Sequence, residues 1–139
     1  MRQIHRTLSV ETRGKGLYDV TDRVAAALSE AAITAGSVTV FIAHTSASLL
    51  IQENADPEVL RDLERFFARL VPDGEPLFRH VEEGPDDMPA HVRSALTQTS
   101  LVIPVLEGKL ALGVWQGVYV YEHRNKPYAR KLIVHVLGA

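Results

Sequence analysis

The sequence predicts an α+β domain, rich in strand, in which two packed sheets form a sandwich and a few helices lie on its outside. Three observations predict it. Runs of β-branched and aromatic residues recur along the chain and occupy nearly all of it from Ser100 to the end. Only three segments, none adjacent in sequence, carry helical start and stop signals, a pattern that favours largely antiparallel sheets over βαβ units. No repeat, low-complexity tract or linker divides the 139 residues, so residues 1–139 form a single domain of ordinary size.

The elements follow in order. Ile4, Leu8 and Val10 alternate loosely with polar neighbours and predict a first strand, which Gly14 and Gly16 close with a turn. Thr21 or Asp22 stands where it would cap a helix with the apolar stripe Val24, Leu28, Ala31 and Ala32, ending before Gly36. Residues 38–43 read as a buried strand and 49–52 as a second short one. Asp56-Pro57 is a strong helix start, an acid at the cap followed by proline at the first helical position. Val59, Leu60, Leu63, Phe66, Phe67 and Leu70 supply that helix with a core stripe, and Pro72 stops it. A Pro-, Gly- and acid-rich loop spans 72–87, and Met88-Pro89 opens a short helix to about Leu96. Strands are expected at 101–106, 110–113, 114–122 and 131–137, with turns at Glu107-Gly108 and 124–127. Alternation places Trp115, Gly117, Tyr119 and Tyr121 on one face of the 114–122 strand, with Gln116, Val118, Val120 and Glu122 on the other.

Composition narrows the function. Hydrophobic residues at 46% and charged residues at 23% are globular usage, and the net charge of −2 gives no reason to expect a nucleic acid or an anionic membrane as partner. The polar, alternating start lacks the apolar core of a secretory signal and no apolar run is long enough to span a bilayer, so the cytoplasm is the expected location. The chain has no cysteine, which leaves His, Asp and Glu as the side chains able to hold a metal.

The richest stretch is 79–91, RHVEEGPDDMPAH, where His80 and His91 flank Glu82, Glu83, Asp86 and Asp87. Imidazole and carboxylate are the ligands a cysteine-free protein offers a divalent ion, although the spacing matches no standard zinc pattern and a solvated acidic loop would look the same. His44 ends the 38–43 strand and is followed by Thr45, Ser46 and Ser48, whose hydroxyl and backbone N–H groups suit a phosphate or simply make a turn. No glycine-rich phosphate loop is present. Glu53, beside Leu49, Leu50 and Ile51, is either a general base or a loop acid, and Asp56 is a capping residue. Gln116 and Glu122 share a strand face and are placed to orient a ligand, whereas His5, His123 and His135 read as structural or surface residues.

These same blocks carry a resemblance. HTSASLLIQENADPEV, RHVEEGPDDMPAHVRSAL and SLVIPVLEGKLALGVWQGVYVYEHR are similar to successive blocks of the YjbQ-like family, and LALGVWQG is the most specific of the strings. The resemblance covers almost the whole chain and implies a small α+β fold with jelly-roll-like sheets, assembled as a homotrimer. It also implies an association with thiamine-phosphate synthase activity, a transferase reaction that expels pyrophosphate from a phosphorylated thiamine precursor. The family's histidines fall on His44, His80 and His91 and look like a shared three-histidine site for a divalent metal ion, zinc or magnesium. Its acidic and amide positions fall on Glu53, Asn54, Asp87, Gln116 and Glu122, and Ser48 stands where glycine is frequent.

Two functions follow as expectations. The first is a metal-site enzyme with Glu53, Asp87 and Gln116 in catalytic roles and either Glu53 or Asp87 as the acid/base partner. Thr45, Ser46, Ser48, Asn54, Glu122 and Arg124 would bind a small phosphorylated metabolite, with Lys126 and Arg130 as further cations. The second is a non-catalytic homotrimer that binds a metal or a phosphoester in a regulatory role, distinguished by a metal site closed by a fourth protein ligand.

Overall fold

Two antiparallel sheets enclose one apolar core, in a computed structural model that describes residues 1–139. The larger sheet is built from β1 (Arg2–Arg13), β3 (Ala35–Ile42), β5 (Ser100–Leu106), β6 (Lys109–Leu110) and β8 (Pro127–Gly138), in the spatial order β1-β8-β3-β5-β6. The smaller one orders β2 (Gly16–Asp19), β7 (Gln116–Glu122) and β4 (Ala47–Glu53) as β2-β7-β4. Apart from the β5–β6 hairpin, every pairing joins a strand from the first half of the chain to one from the second.

Period-two alternation forms the core. Leu132, Val134 and Val136 of β8, Val38, Val40 and Ile42 of β3, and Ile103 and Val105 of β5 point inward to meet Ala47, Leu49, Val118 and Val120 of the smaller sheet. Helix α1 (Thr21–Ala31) packs on β1, β6, β7 and β8 and adds Val24, Ala27, Leu28 and Ala31. Helices α2 (Pro57–Leu70) and α3 (Asp87–Leu96) cover the outer side of the smaller sheet, where Phe67 meets Tyr121 edge to face at 5.7 Å. Strand β7 is therefore covered on both faces, and all of its residues after Gln116 are buried. No helix is long and apolar enough to cross a membrane.

Most element expectations hold in type. The 114–122 strand begins later, at Gln116, and leaves Val114 and Trp115 in an exposed turn. The expected 110–113 strand is reduced to the two residues of β6, reached through Glu107 and Gly108 at φ 50° and 75°, the doubly positive turn that suits a tight hairpin. Strand β2 was not anticipated. Thr21 and Asp22 do not cap α1; the Asp19 carboxylate accepts from the Thr21 N–H at 2.9 Å instead. In α2 the stripe is half-buried at Val59, Leu60, Leu63 and Phe67 but exposed at Phe66 and Leu70, so this helix lies against the sheet without entering the core. Gly36 is required where β3 crosses β8: at φ 154° its missing Cβ would fall 2.1 Å from the Leu137 carbonyl oxygen.

Candidate metal centre

The chain leaves α2 and runs through residues 71–86 as a loop whose ends are tied together by Gly74 N–H donating to the Pro85 carbonyl at 3.0 Å. The turn after β7 anchors it. Arg124 donates through Nη2 to the Glu83 carbonyl at 2.9 Å and through Nε to Asp86 Oδ2 at 3.0 Å, and the Asn125 N–H reaches the same Asp86 oxygen at 2.9 Å. Asp87 then opens α3, so Asp87 and His91 stand one helical turn apart on the same face.

His80 comes from the loop to meet them. Its Nε2 lies 2.7 Å from Asp87 Oδ2 and 3.4 Å from Glu83 Oε2, while His91 Nε2 lies 3.1 Å from the same Asp87 oxygen. One ligand atom from each of His80, Glu83, Asp87 and His91 falls within 4.8 Å of all the others. Asp87 is 2% exposed at the floor of the group, and Glu83 lies at its open rim. The second atoms of two of these groups are held from behind. His91 Nδ1 faces the Thr45 carbonyl at 3.0 Å, and Asp87 Oδ1 accepts from Arg124 Nη1 at 2.6 Å. This is the outer-shell arrangement that fixes a ligand's tautomer and direction.

Charge follows the geometry. Burial pushes the Asp87 carboxyl up, but the hydrogen bond from His80 and the Arg124 charge outweigh it, so Asp87 lies below the usual carboxylate range. The hydrogen bond to Asp87 raises His80 above its ordinary value. Asp86 is lowered in the same way: burial opposes, and the Asn125 N–H and Arg124 prevail. The two buried carboxylates are thus ionised and share one guanidinium, that of Arg124.

His44, expected as a third ligand, does not join this group. Its Nε2 accepts the Lys131 backbone N–H at 2.8 Å, and its Nδ1 faces Arg130 Nη1 at 3.5 Å. Burial first, and the Arg130 charge second, lower its pKa. His44 and His91 do share the lining of a shallow cavity with Thr45 and Ser94. Glu83 supplies the fourth converging atom instead. It was visible in the sequence, since it lies three residues after His80 and four before Asp87, but nothing set it apart from Glu82.

Four of the expected phosphate ligands are otherwise engaged. Glu122 is fully buried and bonded to Thr12 Oγ1 at 2.6 Å, Arg130 Nε at 2.7 Å and the N–H groups of His123 and Arg124, because a buried carboxylate must be fully paired. Ser48, also fully buried, stands 2.8 Å from His123 Nε2. Ser46 Oγ accepts from Arg130 Nη2 at 3.1 Å, while Thr45 alone of the run is exposed. Arg124 is committed to Asp86 and Asp87.

Glu53, Asn54 and Gln116 lie elsewhere. In the β4–β7 register Ala47 faces Glu122 and Glu53 faces Gln116, six residues on, or about 20 Å at about 3.4 Å per residue. Glu53 Oε2 accepts the Asp56 N–H at 3.0 Å, and Gln116 Oε1 accepts the Gly113 N–H at 2.8 Å. Asn54 and Gln116 line a separate cavity of about 380 Å³ with Thr21, Lys109 and Val114.

Residues 6–139 match the family model described as UPF0047 protein YjbQ-like. A UPF0047 protein of Synechocystis sp. is 53% identical over 99% of this chain and 93% of its own length. UPF0047 protein YjbQ of Escherichia coli O157:H7 is 40% identical over 96% of each. Among solved structures, a conserved hypothetical protein from Thermus thermophilus superposes with a TM-score of 0.85 at 38% identity, covering 95% of this chain and 99% of that one.

Proposed function

The chain belongs to the UPF0047 YjbQ-like family, and we propose that it is a metal-dependent enzyme acting on a small phosphorylated metabolite at the His80–Glu83–Asp87–His91 cluster. One observation carries this reading: four ligand atoms of the right chemical kind converge within 4.8 Å, and the one from Glu83 belongs to an exposed rim residue that can yield its place, so His80, Asp87 and His91 can hold an ion whose fourth position is open. The residues fit a divalent ion. Two imidazoles and two carboxylates form a nitrogen and oxygen donor set, and the pair of imidazoles favours zinc over magnesium. The Thr45 carbonyl fixes His91 with its Nε2 toward the cluster, and Arg124 engages Asp87 Oδ1 so that Oδ2 faces the two imidazoles.

A bound divalent ion would supply Lewis acidity toward a phosphoryl oxygen and neutralise the carboxylates around it. That neutralisation is needed for an anion to approach, because Arg124 and Arg130 are already paired within the chain. Of the four residues Glu83 is the most exposed and the least constrained, which suits it to accept a proton. Thiamine-phosphate synthesis, which the family resemblance implies, is the first reaction to test. Phe41, Val102, Leu106 and Leu137 are exposed on the outward side of the larger sheet, and a second and third copy of the chain would cover them in the proposed homotrimer.

The test pairs zinc titration by calorimetry with turnover of thiamine precursors and generic phosphoesters. Zinc should bind at one site per chain and turnover should require it. A chain that binds no zinc at micromolar concentration ends this reading, and one that binds zinc without turnover favours the regulatory binder.

A further inference from the structure

We infer that the cavity lined by His80 receives a flat apolar ring of the substrate, whose anionic end reaches the metal cluster. The second clause rests on the function proposed above, while the first stands on the cavity alone. The cavity measures about 290 Å³, and Pro76, Phe78, Val81, Met88 and Pro89 supply its apolar wall, with His80 at its edge. His80 is the shared partition: its ring lines the cavity while its Nε2 stands 2.7 Å from Asp87. A group seated in the cavity is thus one imidazole away from the cluster.

Three features make the cavity a built receptor. The loop around it is held open by the Gly74–Pro85 hydrogen bond and by the Arg124 anchors at Glu83 and Asp86. Gly74 and Gly84, at φ 71° and 108°, provide the bends at either end, which side-chain-bearing residues rarely adopt. Val81, which lines the cavity, remains 59% exposed.

Size and charge select the occupant. An apolar cavity of about 150 Å³ holds benzene, so this one has room for a single substituted ring. Glu75, Glu82 and Glu83 border the loop, so an anionic group would be repelled from the cavity itself and directed toward the ion. The ligand class is therefore a planar ring with a phosphate or similar anionic head, entering ring-first.

The chain has two methionines, Met1 and Met88, and Met88 lines the cavity. In metal-free protein carrying 13C-methyl methionine, benzyl alcohol at about millimolar concentration should shift the Met88 resonance and leave Met1 unmoved. Val81→Trp, which fills the cavity from an exposed loop position, should abolish the shift. On the zinc-loaded protein, benzohydroxamate should bind about tenfold or more tighter than acetohydroxamate, the effect of burying one ring. Val81→Trp should remove that advantage while leaving acetohydroxamate binding and zinc affinity unchanged. A silent Met88 in the parent, or the same shift in Val81→Trp, overturns the cavity assignment whether or not zinc binds. Failure of zinc to bind ends the proposed function and leaves the Met88 result to decide this one.

Discussion

His91 on α3 and Thr45 ahead of β4 are joined through the ring Nδ1 and the main-chain carbonyl at 3.0 Å, which makes Nδ1 the protonated nitrogen and turns Nε2 toward Asp87. A strand-side loop thereby sets the tautomer of a helix residue 46 positions away in sequence.

Zinc affinity should depend on His80 and His91 and not on His44. His80→Ala and His91→Ala should each weaken binding by more than about 100-fold, beyond the effect usual for outer-shell partners. His44→Ala should change it by no more than about threefold, since the Lys131 N–H already occupies His44 Nε2. Calorimetric titration of the three variants decides the ligand set.

Arg124→Leu should destabilise the chain by about 3–5 kcal/mol, because it leaves the Asp86 and Asp87 carboxylates buried without their cation. Arg124→Lys should recover only a minor part, since a single ammonium cannot bridge Asp86, Asp87 and the Glu83 carbonyl together. Removing charge at the carboxylates as well, in Arg124→Leu/Asp86→Asn, should restore some of the loss. Urea unfolding measures all three.

His123 should make the fold sensitive to mild acid. It is fully buried, and burial followed by the Arg93 charge pushes its pKa down to about 3. The unfolded chain takes up this proton at about pH 6.5 and the folded chain only near pH 3, so stability is complete above 6.5 and falls as pH drops between them. The slope is at most about 1.4 kcal/mol per pH unit. Between about pH 6.5 and 5, above most carboxylate titrations, His123→Gln should flatten the dependence seen by chemical denaturation.

Asp56→Ala should cost about 0.5–2 kcal/mol, because the Asp56 carboxylate caps α2 by accepting the Glu58 N–H at 2.9 Å. Glu53→Gln should leave zinc binding unchanged, since Glu53 lies at the opposite end of β4 from His91. Loss of zinc affinity in Glu53→Gln would show that the two ends of the strand meet, for example across a subunit boundary.

The Asp56-Pro57 start, the Glu107-Gly108 turn and the inward alternation of Val118 and Val120 were all legible, because each depends on local geometry or on a period of two. Four-residue β2 was not, because its pairing with β7 is made by residues about a hundred positions away. The site was legible in part. Asp87 and His91 share a helical face, which spacing reveals, whereas His80 and Glu83 reach them through a loop held by Arg124. Glu53 and His44 are not brought together within one chain, because nine residues that include a strand place their ends far apart.

The alternation of early and late strands in both sheets bears on how the protein is made. Synthesised from its N-terminus, the chain releases β1, β2, β3 and β4 with no hydrogen-bonding mates among themselves. No strand finds a mate until β5 emerges at Ser100, and the two sheets are completed only with β7 and β8, so most of the polypeptide waits unpaired during translation. A nick in the 71–86 loop would then leave two pieces interleaved like the fingers of clasped hands, each threading its strands between those of the other.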